Sequence, residues 1–184
     1  IDAMYQDFVA LLLKKLEQKS ELIPGVAEAV EALREMDIAI GSSTGYFTEA
    51  AEVVAARGAT EGYLPDFSIC ASDVPAGRPY PWMIYRVMEH LNICPPEAVV
   101  NVGDTPVDIE SALNAGVWAV GVAATGNQMG LTLEELNKLT QEEYDKRLIR
   151  ARETLIRAGA HFVIDTMDEL PWIVHEINSR LASV

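Results

Sequence analysis

The sequence VVNVGDTPVD, residues 99–108, decides the fold of this chain. Its first four residues favour a β-strand, and a glycine and Asp104 follow them directly. Thr105 and Pro106 are typical of the start of a helix, and Asp108 falls within the first helical turn. The stretch therefore predicts a strand that ends at one carboxylate and a helix that begins with a second.

The position of these two carboxylates suggests a metal site. Ligands of open α/β sheets bind outside the carboxyl ends of the strands. Asp104 and Asp108 are therefore candidate ligands for Mg²⁺, which takes oxygen ligands and keeps several waters. Asp108 also fits a helix cap with Thr105, and the two roles are compatible. Asp104 is harder to explain as a cap, because Thr105 already supplies one.

Helices and strands are predicted to alternate on both sides of this stretch. Such alternation is typical of an α/β fold with a doubly wound parallel sheet. The predicted strands are 38–40, 67–71, 98–102, 117–122 and 161–164, and the predicted helices are 2–19, 26–36, 47–57, 82–91, 106–114, 141–158 and 167–181.

Composition indicates a soluble, cytoplasmic globular protein. The chain has 184 residues, 49% of them hydrophobic, and no hydrophobic run reaches membrane-spanning length. Its net charge of −14 argues against nucleic-acid binding, which needs basic surface. Cys70 and Cys94 lack metal-ligand spacing and are expected to be free thiols in a reducing compartment.

Two further strand-end segments carry polar residues. In GSSTGY, residues 41–46, a hydroxyl and backbone N–H groups near a helix N-terminus suit phosphate binding, although an ordinary Ser/Thr helix cap is the favoured explanation of this segment taken alone. In DVPAGRPYPWM, residues 73–83, the Arg78 guanidinium suits phosphoryl oxygens, and the alternative is a solvated turn. Hydroxyl, cation and carboxylate pair thus follow one another at successive strand ends.

This order resembles the haloacid dehalogenase superfamily of phosphoryl-transfer enzymes. Thr44 matches its second motif, Arg78 its third, where lysine is usual, and Asp104 and Asp108 its fourth. The sequences of these segments resemble the phosphonoacetaldehyde hydrolases more specifically. So do VGDTPVDIESALNAG at 102–116 and GAHFVIDTMDEL at 159–170. The resemblance implies a Rossmann-like haloacid dehalogenase core at 21–184, preceded by the last helix of a helical cap at 1–20.

The resemblance also implies a reaction, which is hydrolysis of the carbon–phosphorus bond of phosphonoacetaldehyde to acetaldehyde and phosphate during 2-aminoethylphosphonate degradation. Thr44, Gly45 and Arg78 would hold phosphoryl oxygens, and Tyr46 is a candidate pocket residue for which packing is an equal alternative. Asp104 would bind Mg²⁺, and Asp108 would orient the site without binding the ion directly. The expected partners are a small phosphonate substrate and a second copy in a homodimer formed through the cap, without nucleic acid or membrane.

Two motifs of that family have no match in this sequence. One is an Asp nucleophile in a DxAGT-like segment on the first, central strand, and the other is a cap lysine that forms a Schiff base. Lys14, Lys15 and Lys19 lie on the first predicted helix, but none matches the cap motif. We therefore expect a fragment that is inactive alone, in which the strands ending at Thr44 and Asp104 are not hydrogen-bonded to each other.

Two other functions remain open. The chain is compatible with a haloacid dehalogenase-type phosphatase or phosphomutase acting on a phosphate ester. It is also compatible with a non-catalytic module that binds phosphate or a partner. The three histidines have no spacing that suggests a site.

Overall fold

A computed structural model describes residues 2–183, so Ile1 and Val184, the ends of the two predicted terminal segments, lie outside the described residues. Strands and helices alternate as predicted. The strands are β1 (Gly41–Thr44), β2 (Phe67–Cys70), β3 (Val100–Gly103), β4 (Trp118–Val122) and β5 (Phe162–Ile164). The helices are α1 (Asp2–Lys19), α2 (Val26–Glu35), α3 (Thr48–Thr60), α4 (Trp82–Leu91), α5 (Pro106–Ala115), α6 (Leu133–Leu136), α7 (Gln141–Arg157) and α8 (Leu170–Leu181).

All strand pairs are parallel, which confirms the predicted fold class. They form two sheets in the described part of the chain, one with the order β1-β2 and one with the order β3-β4-β5. Thr44 lies opposite Cys70, and Gly103 lies opposite Gly121. β1 and β3 form no ladder with each other within residues 2–183, as the expectation of an intervening strand requires. That a further strand lies between them stays a prediction.

Helices cover both faces of the three-stranded sheet. Successive side chains of a strand point to opposite faces. Ala119 of β4 packs into a cluster with Leu155 of α7, whereas Val120 packs into a second cluster with Ile173 of α8. Gly121 allows α7 to approach, because a Cβ there would lie 3.0 Å from the Leu155 Cβ. The two clusters make this a doubly wound sheet with buried central strands.

The strand predicted at 38–40 is wrong by several residues, because β1 is the Gly41–Thr44 segment itself. Ile40 is instead bonded twice to Asp66, through Ile40 N to Oδ2 and Asp66 N to the Ile40 carbonyl, both at 2.7 Å. A Cβ on Gly41 would lie 2.3 Å from Val87 Cγ1, so the glycine lets β1 pass close to α4. The helix predicted at 47–57 continues to Thr60, and Gly58 lies buried within α3.

α1 is a helix over the predicted residues and packs against α3. Leu16 is buried, whereas the apolar residues Met4, Phe8 and Leu11 of the same helix are exposed. The assignment of 1–20 and 21–184 to two structural units stays a prediction. None of the helices within residues 2–183 combines the length and apolar character that crossing a bilayer requires.

Candidate active site

Arg78 joins the end of β1 to the start of α5. Its Nη1 lies 2.8 Å from Oδ1 of Asp108. Its Nη2 donates to the Ser43 carbonyl oxygen at 2.7 Å and lies 2.9 Å from the Ser43 Oγ. The side chain is only 24% exposed. Arg78 is therefore a fixed, partly buried cation rather than a solvated turn residue.

Asp108 uses both carboxylate oxygens within the protein. Oδ1 pairs with Arg78, and Oδ2 accepts hydrogen bonds from the Thr105 N–H at 2.9 Å and the Thr105 hydroxyl at 2.5 Å. This confirms the capping arrangement predicted for Thr105, Pro106 and Asp108. Because Asp108 is buried and both of its oxygens are engaged, it is placed to orient its neighbours rather than to bind a metal directly.

Gly103 is required for this arrangement. A Cβ at that position would lie 2.3 Å from the Asp108 Cβ and 2.6 Å from its Cγ. The last residue of β3 therefore has no side chain where the Asp108 carboxylate folds back over the strand end. The glycine that precedes Asp104 is thus explained by the packing of the second carboxylate.

Asp104 has one oxygen held and one free. Oδ2 accepts a hydrogen bond from the Asn127 N–H at 2.7 Å, and no donor to Oδ1 is found among residues 2–183. The loop after β4 approaches closely, because a Cβ on Gly126 would lie 2.5 Å from the Val122 carbonyl oxygen and 2.7 Å from the Asp104 Cβ. The β4 loop thus fixes the carboxylate and leaves Oδ1 available to a ligand.

Thr44 is the last residue of β1, next to Ser43 and therefore next to Arg78. Its Oγ1 accepts a hydrogen bond from the Tyr46 N–H at 3.2 Å. A Cβ on Gly45 would meet no atom within 4 Å, so the backbone is open to a ligand there. Tyr46 is 37% exposed. Each of these residues thus lies at or directly after the carboxyl end of β1.

The loop that carries Arg78 begins at a third anchored carboxylate, Asp73. Asp73 Oδ2 accepts a hydrogen bond from the Cys70 N–H at 2.9 Å, at the end of β2. This backbone hydrogen bond is the main reason that the pKa of Asp73 lies below its ordinary value. Ionised Asp73 therefore closes the turn that leads from β2 into the loop.

Sequence reasoning missed three residues of this site. Ser43, Gly126 and Asn127 contact or crowd the predicted residues, and no motif indicates a role for the loop at 123–130. The signal was present in part, because this loop follows a buried strand at the same sheet edge as Asp104. Nothing in the sequence spacing indicated that Arg78 and Asp108 would pair.

The residues present fit a magnesium ion only in part. No group of three or more His, Cys, Asp or Glu side chains in the described residues is arranged to hold a metal. Mg²⁺ is often bound through one or two carboxylates, with waters and a substrate phosphate completing the octahedron. A single free oxygen on a fixed Asp104 satisfies that smaller requirement.

Comparison with known proteins assigns the family. The profile of the haloacid dehalogenase-like hydrolases matches residues 3–116, which is more than half of the chain. The chain belongs to the haloacid dehalogenase-like hydrolases. This hydrolase family was predicted from Thr44, Arg78, Asp104 and Asp108, of which the structure pairs Arg78 with Asp108 and holds Asp104 by a hydrogen bond from Asn127.

Relatives narrow the family further. A phosphonoacetaldehyde hydrolase from Bacillus cereus (strain G9842) is 41% identical over 180 residues, which cover 98% of this chain and 68% of that protein. A phosphonoacetaldehyde hydrolase-like protein from Syntrophobacter fumaroxidans is 44% identical over 173 residues, 94% of this chain and 62% of that protein. The haloacid dehalogenase-like chain therefore falls within the phosphonoacetaldehyde hydrolase family, and it spans about two thirds of the length of these curated relatives.

Solved structures agree with this assignment. The crystal structure of a phosphonoacetaldehyde hydrolase-like protein from Oleispira antarctica superimposes with a TM-score of 0.94 at 34% identity, covering 99% of this chain and 66% of that one. L-2-haloacid dehalogenase from Xanthobacter autotrophicus superimposes with a TM-score of 0.60 at 20% identity, covering 84% of this chain and 61% of that one. The second likeness shows only that the fold is that of the haloacid dehalogenase-like hydrolases.

Proposed function

We propose that the protein carrying this sequence hydrolyses the carbon–phosphorus bond of phosphonoacetaldehyde to acetaldehyde and phosphate. The observation that carries the proposal is the 41–43% identity, over nearly the whole chain, to proteins named phosphonoacetaldehyde hydrolase. The arrangement of Arg78 between Ser43 and Asp108 supports it, because a fixed guanidinium suits a phosphoryl group.

In this proposal Thr44, Gly45 and Arg78 bind the phosphoryl group. A guanidinium has five N–H groups, and the three contacts of Arg78 leave two of them for substrate oxygens. The Thr44 hydroxyl and the open backbone at Gly45 add donors at the end of β1. Fixed donors of this kind stabilise charge that develops in a transition state without having to reorganise.

Asp104 would hold a magnesium ion through Oδ1, with Asp108 fixing Thr105 and Arg78 beside it. When bound, magnesium neutralises phosphoryl charge as a Lewis acid. The role of Asp104 is to hold the ion at the end of β3. The role of Asp108 is to keep the N-terminus of α5 and the guanidinium in place.

We also infer the setting in which this activity would operate. The substrate is a small phosphonate from 2-aminoethylphosphonate degradation in the cytoplasm, and the active form is a homodimer. The net charge of −14 supports a partner set without nucleic acid. Light scattering after size exclusion measures the subunit number.

The activity is tested by product analysis with the protein that carries this sequence. Phosphonoacetaldehyde should yield equal amounts of acetaldehyde and phosphate, and borohydride should trap an imine with substrate. Phosphate release from simple phosphate esters without trapping would indicate a phosphatase or phosphomutase instead. Phosphate binding without turnover of either substrate class would indicate a binding module.

Variants connect the activity to the site. We expect Arg78→Ala to lower kcat by about 10²–10³-fold, the usual effect of removing a donor to developing oxyanion charge. Asp104→Asn should abolish the activity that depends on Mg²⁺. The matched controls are Arg150→Ala on α7 and Glu110→Gln on α5, both exposed, and both should retain wild-type rates.

A further inference from the structure

One face of α5 holds the backbone of the loop that carries Arg78. The Ser111 hydroxyl donates to the Tyr80 carbonyl oxygen at 3.0 Å. The Asn114 side-chain Nδ2 donates to the Pro79 carbonyl oxygen at 2.9 Å. Two consecutive peptide carbonyls directly after Arg78 are therefore bonded to side chains of a helix more than thirty residues later in the chain.

The spacing of these contacts along α5 is regular. Residues three apart lie on the same face of a helix, so Asp108, Ser111 and Asn114 form one row. The first member of the row holds the Arg78 guanidinium, and the other two hold the backbone behind it. The loop is thus fixed at the charged tip of Arg78 and at the base from which that side chain projects.

Burial indicates how firmly this row is set. Ser111 is 3% exposed, so its hydroxyl would be left without a partner if the Tyr80 carbonyl moved away. A buried donor without a partner is costly, and the contact therefore resists displacement of the loop. Asn114 is exposed, so burial does not enforce its hydrogen bond to the Pro79 carbonyl; this bond orients the loop without being protected from water.

We propose that Ser111 and Asn114 are positioning residues that set the direction of the Arg78 guanidinium toward a bound phosphoryl group. The proposal rests on the phosphoryl-binding role proposed above for Arg78. Arg78 has a long, flexible side chain, and its contacts with Ser43 and Asp108 are productive only while its backbone is held at the right distance. Ligating groups are commonly fixed in this way by hydrogen bonds from residues that do not touch the ligand.

The test follows Arg78 directly by NMR and measures phosphate affinity separately. The Arg78 Nε–H resonance, assigned by its loss in Arg78→Ala, is recorded without ligand in Asn114→Ala and Ser111→Ala. The affinity for inorganic phosphate with Mg²⁺ is measured by calorimetry in the same proteins. The matched controls are Asn178→Ala and Ser179→Ala on the exposed face of α8.

We expect the Arg78 resonance to shift or broaden in both α5 variants and phosphate affinity to fall about fivefold in each, the change that one ordinary hydrogen bond corresponds to. The α8 controls should leave both measurements unchanged. Asn114 is exposed, so its variant is expected to fold even where loss of the buried Ser111 hydroxyl unfolds the protein.

Two results would overturn the proposal, and each would refute a different part of it. An Arg78 resonance in Asn114→Ala that matches the wild type would refute the positioning role, even while Arg78→Ala loses phosphate. An Arg78→Ala protein that binds phosphate as tightly as the wild type would refute the phosphoryl-binding role on which the proposal rests.

Discussion

Arg78 and Asp108 form an ion pair, 2.8 Å between Nη1 and Oδ1, that connects the two sheets of the structure. Arg78 also bonds to Ser43 of β1, and Asp108 lies in the first turn of α5, the helix that follows β3. Since β1 and β3 share no ladder in residues 2–183, side chains rather than strand hydrogen bonds carry this connection. The relative position of the proposed phosphoryl-binding and metal-binding residues therefore depends on this ion pair and on the bonds from Ser111 and Asn114 of α5 to the Arg78 loop.

Removing the charge of Asp108 should weaken the whole site. Asp108→Asn leaves the Arg78 guanidinium without its carboxylate and weakens the bonds from Thr105. We expect the free energy of unfolding to fall by about 2 kcal/mol, the range for hydrogen bonds to charged groups. Urea unfolding measures the change. Glu110→Gln, an exposed neighbour on α5, is the control, and equal midpoints for the two variants would contradict the assignment.

Adding a methyl group to Gly126 should displace Asp104. The new Cβ would lie 2.5 Å from the Val122 carbonyl oxygen and 2.7 Å from the Asp104 Cβ. Overpacking of this kind typically costs about 1–3 kcal/mol. We expect a lower unfolding midpoint for Gly126→Ala together with weaker Mg²⁺-dependent phosphate binding.

The control for that change is Gly77→Ala, where the nearest atom, the Ala71 Cβ, lies 3.7 Å from the new Cβ. This variant should unfold at nearly the wild-type urea concentration. A Gly126→Ala protein with unchanged stability and unchanged phosphate affinity would show that the β4 loop does not fix Asp104.

Asp66 should contribute to stability in a pH-dependent way. The Ile40 N–H hydrogen bond, with a smaller contribution from Arg34, holds the pKa of Asp66 below its ordinary value of 3.8. Asp66 is ionised more readily in the folded state, so its contribution is complete well above 3.8. That contribution is lost as the pH falls through the folded-state pKa, because protonation then favours the unfolded chain.

Asp66→Asn tests this dependence. The difference in unfolding free energy between wild type and variant should be largest near neutral pH and should shrink below pH 3.8. Denaturant titrations at several pH values measure it. The same substitution at the exposed Asp7 should give a small difference at all pH values, and a pH-independent difference for Asp66→Asn would refute the role of its charge.

The two cysteines should differ in reactivity. Cys70 is buried in β2 and Cys94 is exposed, and both are free thiols, as the sequence predicted. We expect one thiol per chain to react rapidly with Ellman's reagent under native conditions and both to react in denaturant. Cys94→Ser should remove the rapid phase, and its persistence in that variant would contradict the burial of Cys70.

Much of the fold follows from hydrophobic pattern and turn chemistry. The predicted helices at 82–91 and 106–114 match α4 and α5 closely, because Pro81, Pro106 and Gly116 mark their boundaries. β1 was misplaced because its residues are glycine, serine and threonine, while the preceding apolar residues suggested the strand. Its position depends on two tertiary contacts, the close packing of Gly41 against Val87 and the hydrogen bonds between Asp66 and Ile40. No local sequence pattern encodes these contacts.

The candidate site was predictable as a set of residues but not as a network. Motif spacing indicated Arg78, Asp104 and Asp108 because strand ends in a parallel sheet meet at one edge. The pairing of Arg78 with Asp108 and the bond from Asn127 to Asp104 join segments far apart in sequence. Such contacts depend on how loops fold over the strand ends, and the chemistry of the residues alone allows several pairings.

The division into two sheets has a consequence for amide hydrogen exchange. β4 is paired on both sides, by β3 and β5, whereas β1 is paired in the described residues only with β2. Amide protons of Val120 and Val122 should therefore exchange with solvent only on global unfolding, while the strands paired on one side, β1 among them, should be less protected. A bound ligand that draws Thr44 and Asp104 together would slow exchange at β1 first, which makes that strand a direct reporter of occupancy.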